Sequence, residues 1–266
     1  MSEPTPTPSD VLIERRGAVY TVRLNRPETR NALLPSTTVR YAEAIEAGAA
    51  DPSVRVIVIT GVGPAFCSGA DLVAGIAEAQ KRPYAEVIRD GFHRLIKAVV
   101  NAPKPVVASI RGPAVGFGFD LALAADLRVG SRASSYGAVF SKIGLVPDGG
   151  SSFTLTRLVG LGRAMELVLL GDTFDAARAD ALGLLTKLVD DDALERETDA
   201  LADRLAAGPP MAYRLAKRNL ISGLTSELRD AFDAEIEAQV KCLASADMME
   251  GVQAFLQKRK PNFTGR

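Results

Sequence analysis

The chain has 266 residues, 47% of them hydrophobic, which is enough to bury one large core or one core with a smaller appendage. Lysine plus arginine and aspartate plus glutamate both number 32, so no net charge attracts nucleic acid or an anionic membrane, and we expect neither as a partner. The two cysteines, Cys67 and Cys242, form no metal-ligand pattern. We therefore expect free thiols, no metal and a cytoplasmic location. No signal-peptide pattern or long apolar run occurs, so we expect neither export nor membrane insertion.

The first part of the chain alternates strand and helix patterns. Residues 1–10, rich in Pro, Ser and Thr, predict a disordered leader. Residues 11–190 predict an α/β core, because apolar runs are separated by segments with helical spacing. The predicted strands are Val11–Arg16 and Ala18–Leu24, which form a hairpin around Gly17, then Val54–Thr60 and Val106–Ile110; the predicted helices are Ser36–Ala50 and Tyr84–Val100.

The last third of the chain carries no strand pattern. From about residue 191 onward, successive amphipathic segments predict helices only. Several apolar faces in so small a region need partners, so we expect residues 191–266 to pack on the core and on neighbouring subunits.

Three glycine-containing segments follow strands, and the first is Gly61–Leu72. Gly69 has no side chain to block a ligand, so the N–H of Ala70 is free to point into a pocket, and Asp71 is placed to cap the next helix. The alternative is an ordinary glycine-rich turn between strand and helix.

The second segment, Arg111–Asp120, predicts strand, tight turn and helix. Free N–H groups at a helix N-terminus are suited to stabilising a developing oxyanion. A dinucleotide-binding fingerprint is the rival interpretation, but the third glycine is missing both after Gly116 and Gly118 and after Gly61 and Gly63.

The third segment, Phe140–Gly150, contains a Pro-Asp-Gly-Gly turn followed by a predicted helix, Ser151–Val159. The turn either presents Asp148 to a pocket or uses it as a helix cap.

Together these segments resemble the crotonase (enoyl-CoA hydratase/isomerase) superfamily, from about Val11 to Phe263. The resemblance implies an α/β fold built as a spiral of ββα units, with a C-terminal helical oligomerisation region that forms trimers, often paired as hexamers. The supporting matches are Leu24–Leu33, Phe66–Leu72, Ala125–Arg128, Gly144–Pro147 and Glu250–Leu256.

The resemblance also implies the chemistry. Two backbone amides of this family hold the thioester oxygen, and the matching residues are Ala70 and Phe117, the latter where the family usually has glycine. Family hydratases use two glutamates, and the matching residues are Asp120 and Phe140. Because phenylalanine cannot transfer a proton, a two-carboxylate hydration mechanism is not expected here.

Asp148 matches the aspartate of family isomerases, including ring-opening isomerases of phenylacetate degradation, and of aryl-CoA dehalogenases. Dehalogenases also use a histidine and a tryptophan, and this chain has one histidine, His93, and no tryptophan. We expect Asp148 to move a proton between carbons of an enoyl-CoA while Asp120 shapes or assists the site. The alternatives are a hydratase that uses Asp120 and a non-catalytic acyl-CoA-binding protein.

Coenzyme A is expected as part of the substrate, without a permanently bound cofactor. By the same resemblance a set of residues is expected to contact CoA, the last two across a subunit interface: Arg26, Arg30, Ala32, Ser68, Gly69, Asp71, Leu72, Phe255 and Lys258. His93 is expected on a surface or lid helix, and a serine hydrolase is disfavoured because no GxSxG motif occurs. An RNA-binding role is also disfavoured, because the last helix mixes acidic and basic residues.

Overall fold

The computed structural model describes residues 9–266, so all but two residues of the predicted leader lie outside the described part. The predicted hairpin is confirmed, because the first two strands pair antiparallel and place Val11 opposite Leu24. Gly17 turns between them with a φ of 58°, a conformation that glycine adopts without strain. The strands are β1 (Val11–Arg16), β2 (Val19–Leu24), β3 (Val56–Gly61), β4 (Val106–Ile110), β5 (Pro113–Val115), β6 (Leu127–Ser131), β7 (Ser135–Gly137), β8 (Phe174–Asp175) and β9 (Lys187–Val189).

Six strands form one sheet in the order β1-β2-β3-β4-β6-β9, in which every pair except the first is parallel. Parallel strands are normally covered on both faces, and this explains why the sequence of β3 is a continuous apolar run. Ile57 and Ile59 belong to the main core, whereas Val56 and Val58 belong to a second cluster that includes Leu194. The alternation buries both faces of the sheet.

A second, three-stranded sheet has the order β5-β7-β8. The chain enters it directly from the large sheet, since β5 follows β4 and β7 follows β6 within a few residues. In these two turns the chain gives one strand to each sheet before the next α-helix, which is the ββα unit that the resemblance predicts.

Within residues 9–266, twelve α-helices surround the sheets. The predicted helix Ser36–Ala50 is confirmed with Pro35 at its first position, where a missing N–H is harmless. The predicted helix Tyr84–Val100 is interrupted by a π-helical turn, Ile88–His93. The helices are α1 (Pro35–Ala50), α2 (Leu72–Ala79), α3 (Tyr84–Val87), α4 (Arg94–Val100), α5 (Phe117–Ala124), α6 (Ser151–Val159), α7 (Leu161–Leu170), α8 (Ala176–Ala181), α9 (Leu194–Ala206), α10 (Pro210–Gly223), α11 (Leu228–Leu243) and α12 (Ala246–Leu256).

Only helices follow β9, apart from one short 3-10 turn, as the sequence predicts. Helix α11 carries an exposed apolar row with a spacing of four residues, so the row lies on one side of the helix. Its members are Leu228, Phe232, Ile236 and Val240. Within residues 9–266, none of the helices combines the length and the apolar character that crossing a bilayer requires.

Candidate active site

The first segment of the site runs beside the second. The N–H of Cys67 donates to the carbonyl of Pro113 at 3.0 Å, and the carbonyl of Cys67 accepts from the N–H of Val115 at 3.1 Å. Gly69 lies so close that a Cβ built on it would be 3.4 Å from the nitrogen of Phe117. The pairing therefore brings Ala70 next to the start of helix α5.

The N–H of Ala70 points away from its strand partner. Leu33 donates to the carbonyl of Gly69 at 2.8 Å and accepts from the N–H of Asp71 at 2.9 Å, so the bonds on that side are made by the two neighbours of Ala70. In a parallel ladder the residue between them directs its own N–H to the opposite side. Within residues 9–266 this N–H donates to no protein acceptor.

The N–H of Phe117 lacks a hydrogen-bond acceptor within residues 9–266 for a different reason. Phe117 is the first residue of α5, so no carbonyl within the helix precedes it that could accept its N–H. The first N–H groups of a helix lack intrahelical acceptors and lie at the positive end of its dipole. The part of the chain that the structure describes offers this N–H no acceptor, so it joins that of Ala70 as a free donor.

The ring of Phe117 does not occupy the space in front of its amide. The side chain is 2% exposed, and its ring meets the ring of Phe92 edge-on at 4.7 Å between centroids. A Cβ built on Gly149 would lie 2.9 Å from the Phe117 ring, so this ring packs beneath the Pro-Asp-Gly-Gly turn. Phenylalanine at a position where the family usually has glycine therefore supports the third segment.

Asp120 is buried and fully engaged. It is 1% exposed, accepts the N–H of Gly149 at 2.8 Å on one carboxyl oxygen, and accepts the hydroxyl of Ser151 on the other. Burial raises the pKa of the Asp120 carboxyl to about 7, although these two hydrogen bonds act in the opposite direction. Asp120 thus ties helix α5 to the start of helix α6.

Asp148 stands at the surface of the same turn. It is half-buried, and within residues 9–266 no other residue donates a hydrogen bond to its carboxyl. Partial burial raises its pKa, and the nearby His93 lowers it to a smaller extent. Asp148 does not cap α6, because the residue before that helix is Gly150, with a φ of 90°. The helix-cap interpretation of Asp148 is therefore excluded.

Asn31 has a role that is not predicted from the sequence, and it lies in the segment Leu24–Leu33, which packs against the first segment. Asn31 is 1% exposed, and its amide donates to the carbonyls of Val62 and Ala65 while accepting the N–H of Arg26. Its φ is 59°, a conformation that asparagine tolerates better than most residues. Asn31 holds residues 26–33 in place beside the site.

The residues expected to contact CoA divide into two groups. Seven of them share one region, because Ser68 donates its N–H to the carbonyl of Arg30 at 3.0 Å, and Asp71 caps α2 by accepting the N–H of Ala74 at 3.1 Å. Arg26 is turned inward, toward the carbonyl of Ala32 and to within 3.6 Å of Asp71, whereas Arg30 is exposed. The seven are Arg26, Arg30, Ala32, Ser68, Gly69, Asp71 and Leu72.

The other two, Phe255 and Lys258, lie at the end of helix α12. Phe255 is 83% exposed. Among residues 9–266, no hydrogen bond or ion pair joins either residue to residues 26–33 or 68–72. Within one chain, the structure does not bring these two residues to the rest of the group.

The buried carboxyl of Asp120 predicts a pH dependence of stability. The raised pKa means that between about pH 4 and about pH 7 the folded protein keeps a proton that the unfolded chain has lost, so the free energy of unfolding falls as pH rises through this window. Asp120→Asn should remove a slope of at most about 1.4 kcal/mol per pH unit. Urea unfolding across this window measures it, with exposed Asp172→Asn as the control; an unchanged slope in Asp120→Asn contradicts the prediction.

Comparison with known proteins places this geometry in a family. Residues 14–266 match the family model described as enoyl-CoA hydratase/isomerase. A protein named probable enoyl-CoA hydratase from Rhodobacter capsulatus is 39% identical, over 92% of this chain and 94% of its own length. The 1,2-epoxyphenylacetyl-CoA isomerase of Escherichia coli is 36% identical, over 93% of this chain and 95% of its own.

Solved structures agree. The crystal structure of an enoyl-CoA hydratase from Polaromonas sp. JS666 superposes with a TM-score of 0.90 at 32% identity, covering 96% of this chain and 99% of the other. The resemblance and the α/β fold expected from the sequence are confirmed. The chain therefore belongs to the enoyl-CoA hydratase/isomerase family of the crotonase superfamily.

Proposed function

We propose that this family member isomerises the double bond of an enoyl-CoA, with Asp148 as the acid and base and the amides of Ala70 and Phe117 as the oxyanion hole. One observation carries the proposal. Of the two carboxyl groups at the site, Asp120 is 1% exposed with both oxygens bonded, whereas Asp148 is half-buried and no other residue of the described chain bonds its carboxyl. Only Asp148 is therefore available for proton transfer.

The reaction needs one base and one pair of donors. The Asp148 carboxylate takes a proton from C2 of a 3-enoyl thioester, the electron pair delocalises over C2, C3, C4 and the carbonyl, and negative charge develops on the thioester oxygen. The two N–H groups stabilise that charge, because preorganised donors need no reorientation as it forms. Asp148 then returns its proton to C4, which gives the conjugated 2-enoyl thioester with atoms and charge balanced.

The raised pKa of Asp148 favours this role. A base whose pKa lies closer to the working pH removes a carbon-bound proton more readily than an ordinary surface aspartate. Phe140, which matches the second glutamate of family hydratases, is 7% exposed and offers no group that activates water. These observations favour proton transfer between carbons over the addition of water.

The substrate and assembly proposals follow from the same site. An acyl-CoA substrate is consistent with the family, and we propose CoA as part of that substrate, without a permanently bound cofactor. We propose that Arg30 faces the phosphates, since Arg26 is already engaged by Asp71. We further propose that residues 191–266 form the trimerisation region, because α11 leaves an apolar row exposed, and that Phe255 and Lys258 act across that interface.

Hydration through Asp120 is the second candidate. The observation in its favour is the pKa of about 7, which suits a group that both donates and accepts a proton near neutrality. The name of the Rhodobacter capsulatus relative points the same way, whereas the name of the Escherichia coli relative favours isomerisation. A non-catalytic acyl-CoA-binding protein is the remaining alternative.

A mass-resolved assay of the purified protein tests the proposal. We expect 2-enoyl-CoA and 3-enoyl-CoA to interconvert without the mass gain of one water. A product heavier by one water would replace the proposal with hydration. Tight binding of both thioesters without turnover would instead support the alternative of a non-catalytic acyl-CoA-binding protein.

A further inference from the structure

The only histidine of the chain contacts the turn that carries Asp148. His93 Nε2 lies 2.9 Å from the carbonyl oxygen of Asp148. A carbonyl oxygen only accepts, so Nε2 carries the proton and donates it in this hydrogen bond. The contact is made to the main chain of Asp148 and leaves its carboxyl free.

The peptide unit between Asp148 and Gly149 is hydrogen-bonded at both ends. The carbonyl of Asp148 and the N–H of Gly149 belong to one peptide unit; His93 binds the carbonyl and Asp120 binds the N–H at 2.8 Å. Two glycines follow Asp148, and glycine permits peptide orientations that other residues resist. Turns that differ by a flip of their central peptide are close alternatives in such a sequence. The two hydrogen bonds select one orientation.

The segment that carries His93 is itself well anchored. His93 ends the π-helical turn Ile88–His93, and turns of this kind are frequent at functional sites. The preceding residue, Phe92, packs its ring against that of Phe117, whose amide is an oxyanion donor. Gly91 lies against α1, since a Cβ built there would be 2.6 Å from Thr38 Oγ1. Adjacent residues of one turn therefore touch both halves of the site.

We propose that His93 is a positioning residue: with Asp120 at the opposite end, it locks the Asp148–Gly149 peptide and thereby aims the Asp148 carboxyl relative to the oxyanion amides. This inference rests on the proposed role of Asp148 as acid and base. Released from His93, the peptide rotates, and the carboxyl loses its alignment with C2 and C4. Misplacement by about 1 Å is enough to slow a reaction roughly 100-fold.

Substitutions of His93 test the inference. His93→Leu should lower kcat for isomerisation roughly 10-fold to 100-fold and leave KM within about threefold, because the oxyanion amides are untouched. His93→Gln, whose amide reaches a similar distance and donates, should restore kcat to within about threefold of the parent. The matched control is Lys97→Gln, an exposed change one turn further along. Equal loss in His93→Leu and His93→Gln, or no loss in His93→Leu, overturns the inference.

A double-mutant cycle with Asp148→Asn separates this inference from the proposed function. If His93 acts through Asp148, His93→Leu changes the residual rate of Asp148→Asn by less than about twofold, since there is no base left to aim. The same fold loss in both backgrounds overturns the positioning role and leaves Asp148 as the base. Full activity of Asp148→Asn overturns the proposed function itself, whatever His93 does.

Discussion

Asp148→Asn should lower kcat for enoyl-CoA isomerisation by about 100-fold to 10,000-fold, the usual loss when a positioned acid or base is removed. Asparagine keeps the size of the side chain and cannot take a proton from carbon. Because no other residue of the described chain bonds the Asp148 carboxyl, the substitution should change stability little. Steady-state kinetics with 3-enoyl-CoA, together with thermal unfolding, measures both quantities.

The same role of Asp148 predicts the direction in which kcat of the parent enzyme changes with pH. The proposed mechanism needs the Asp148 carboxylate, so kcat should rise as pH passes the pKa of Asp148 and fall as the group is protonated. Partial burial raises that pKa above its ordinary value, so the acid limb should lie at higher pH than it would for an exposed aspartate. Asp180→Asn, a change at an exposed position of helix α8, is the control. Parent-level turnover in Asp148→Asn would refute the assignment.

Gly118→Ala should damage stability and catalysis together. A Cβ at this position would lie 2.2 Å from the carbonyl oxygen of Cys67 and 2.8 Å from its carbonyl carbon, which are main-chain atoms that cannot swing aside. The first and second segments must separate, and with them the amides of Ala70 and Phe117. Overpacking of this kind destabilises proteins by roughly 1–3 kcal/mol, and loss of one oxyanion donor lowers kcat roughly 100-fold to 1,000-fold.

Gly162→Ala is the matched control for this substitution. Gly162 lies in helix α7, and a Cβ there meets no heavy atom within 4 Å. Replacing such a glycine by alanine should raise the free energy of unfolding by about 0.5–1 kcal/mol. Urea denaturation of both variants, alongside their kcat/KM, makes the comparison. Parent-like stability and activity in Gly118→Ala would contradict the close approach of the two segments.

The parts of the fold that were predictable carry long, regular patterns. Strands β3 and β4 are continuous apolar runs, and α1 shows helical spacing behind a proline, so each element is readable from its own residues. Strands β5, β7 and β8 have three, three and two residues, which is too short for any periodicity to show. These segments are strands because they pair with one another in the second sheet.

Some features of the candidate site are likewise predictable from the local sequence, and others are not. Glycine-rich turns after strands are visible in one dimension and indicate Ala70 and Asp148, whereas Phe117 follows from the resemblance to the crotonase superfamily. The state of Asp120 was not readable, since its hydrogen bonds come from Gly149 and Ser151, about 30 residues away. The contact of His93 with Asp148 spans 55 residues and depends on a π-helical turn that apolar spacing does not reveal.

The two proposed oxyanion donors are main-chain N–H groups, and this limits what mutation can do to them. Substituting residue 70 or 117 leaves a backbone N–H in place unless the new residue is proline. The pair of donors is therefore insensitive to most substitutions at these two positions. Phenylalanine at position 117 is an instance, with its ring packed away beneath the turn. Carboxyl groups, by contrast, are gained or lost in one step. A scaffold of this kind keeps its carbonyl-polarising centre fixed while new reactions arise by relocating a single acid around it.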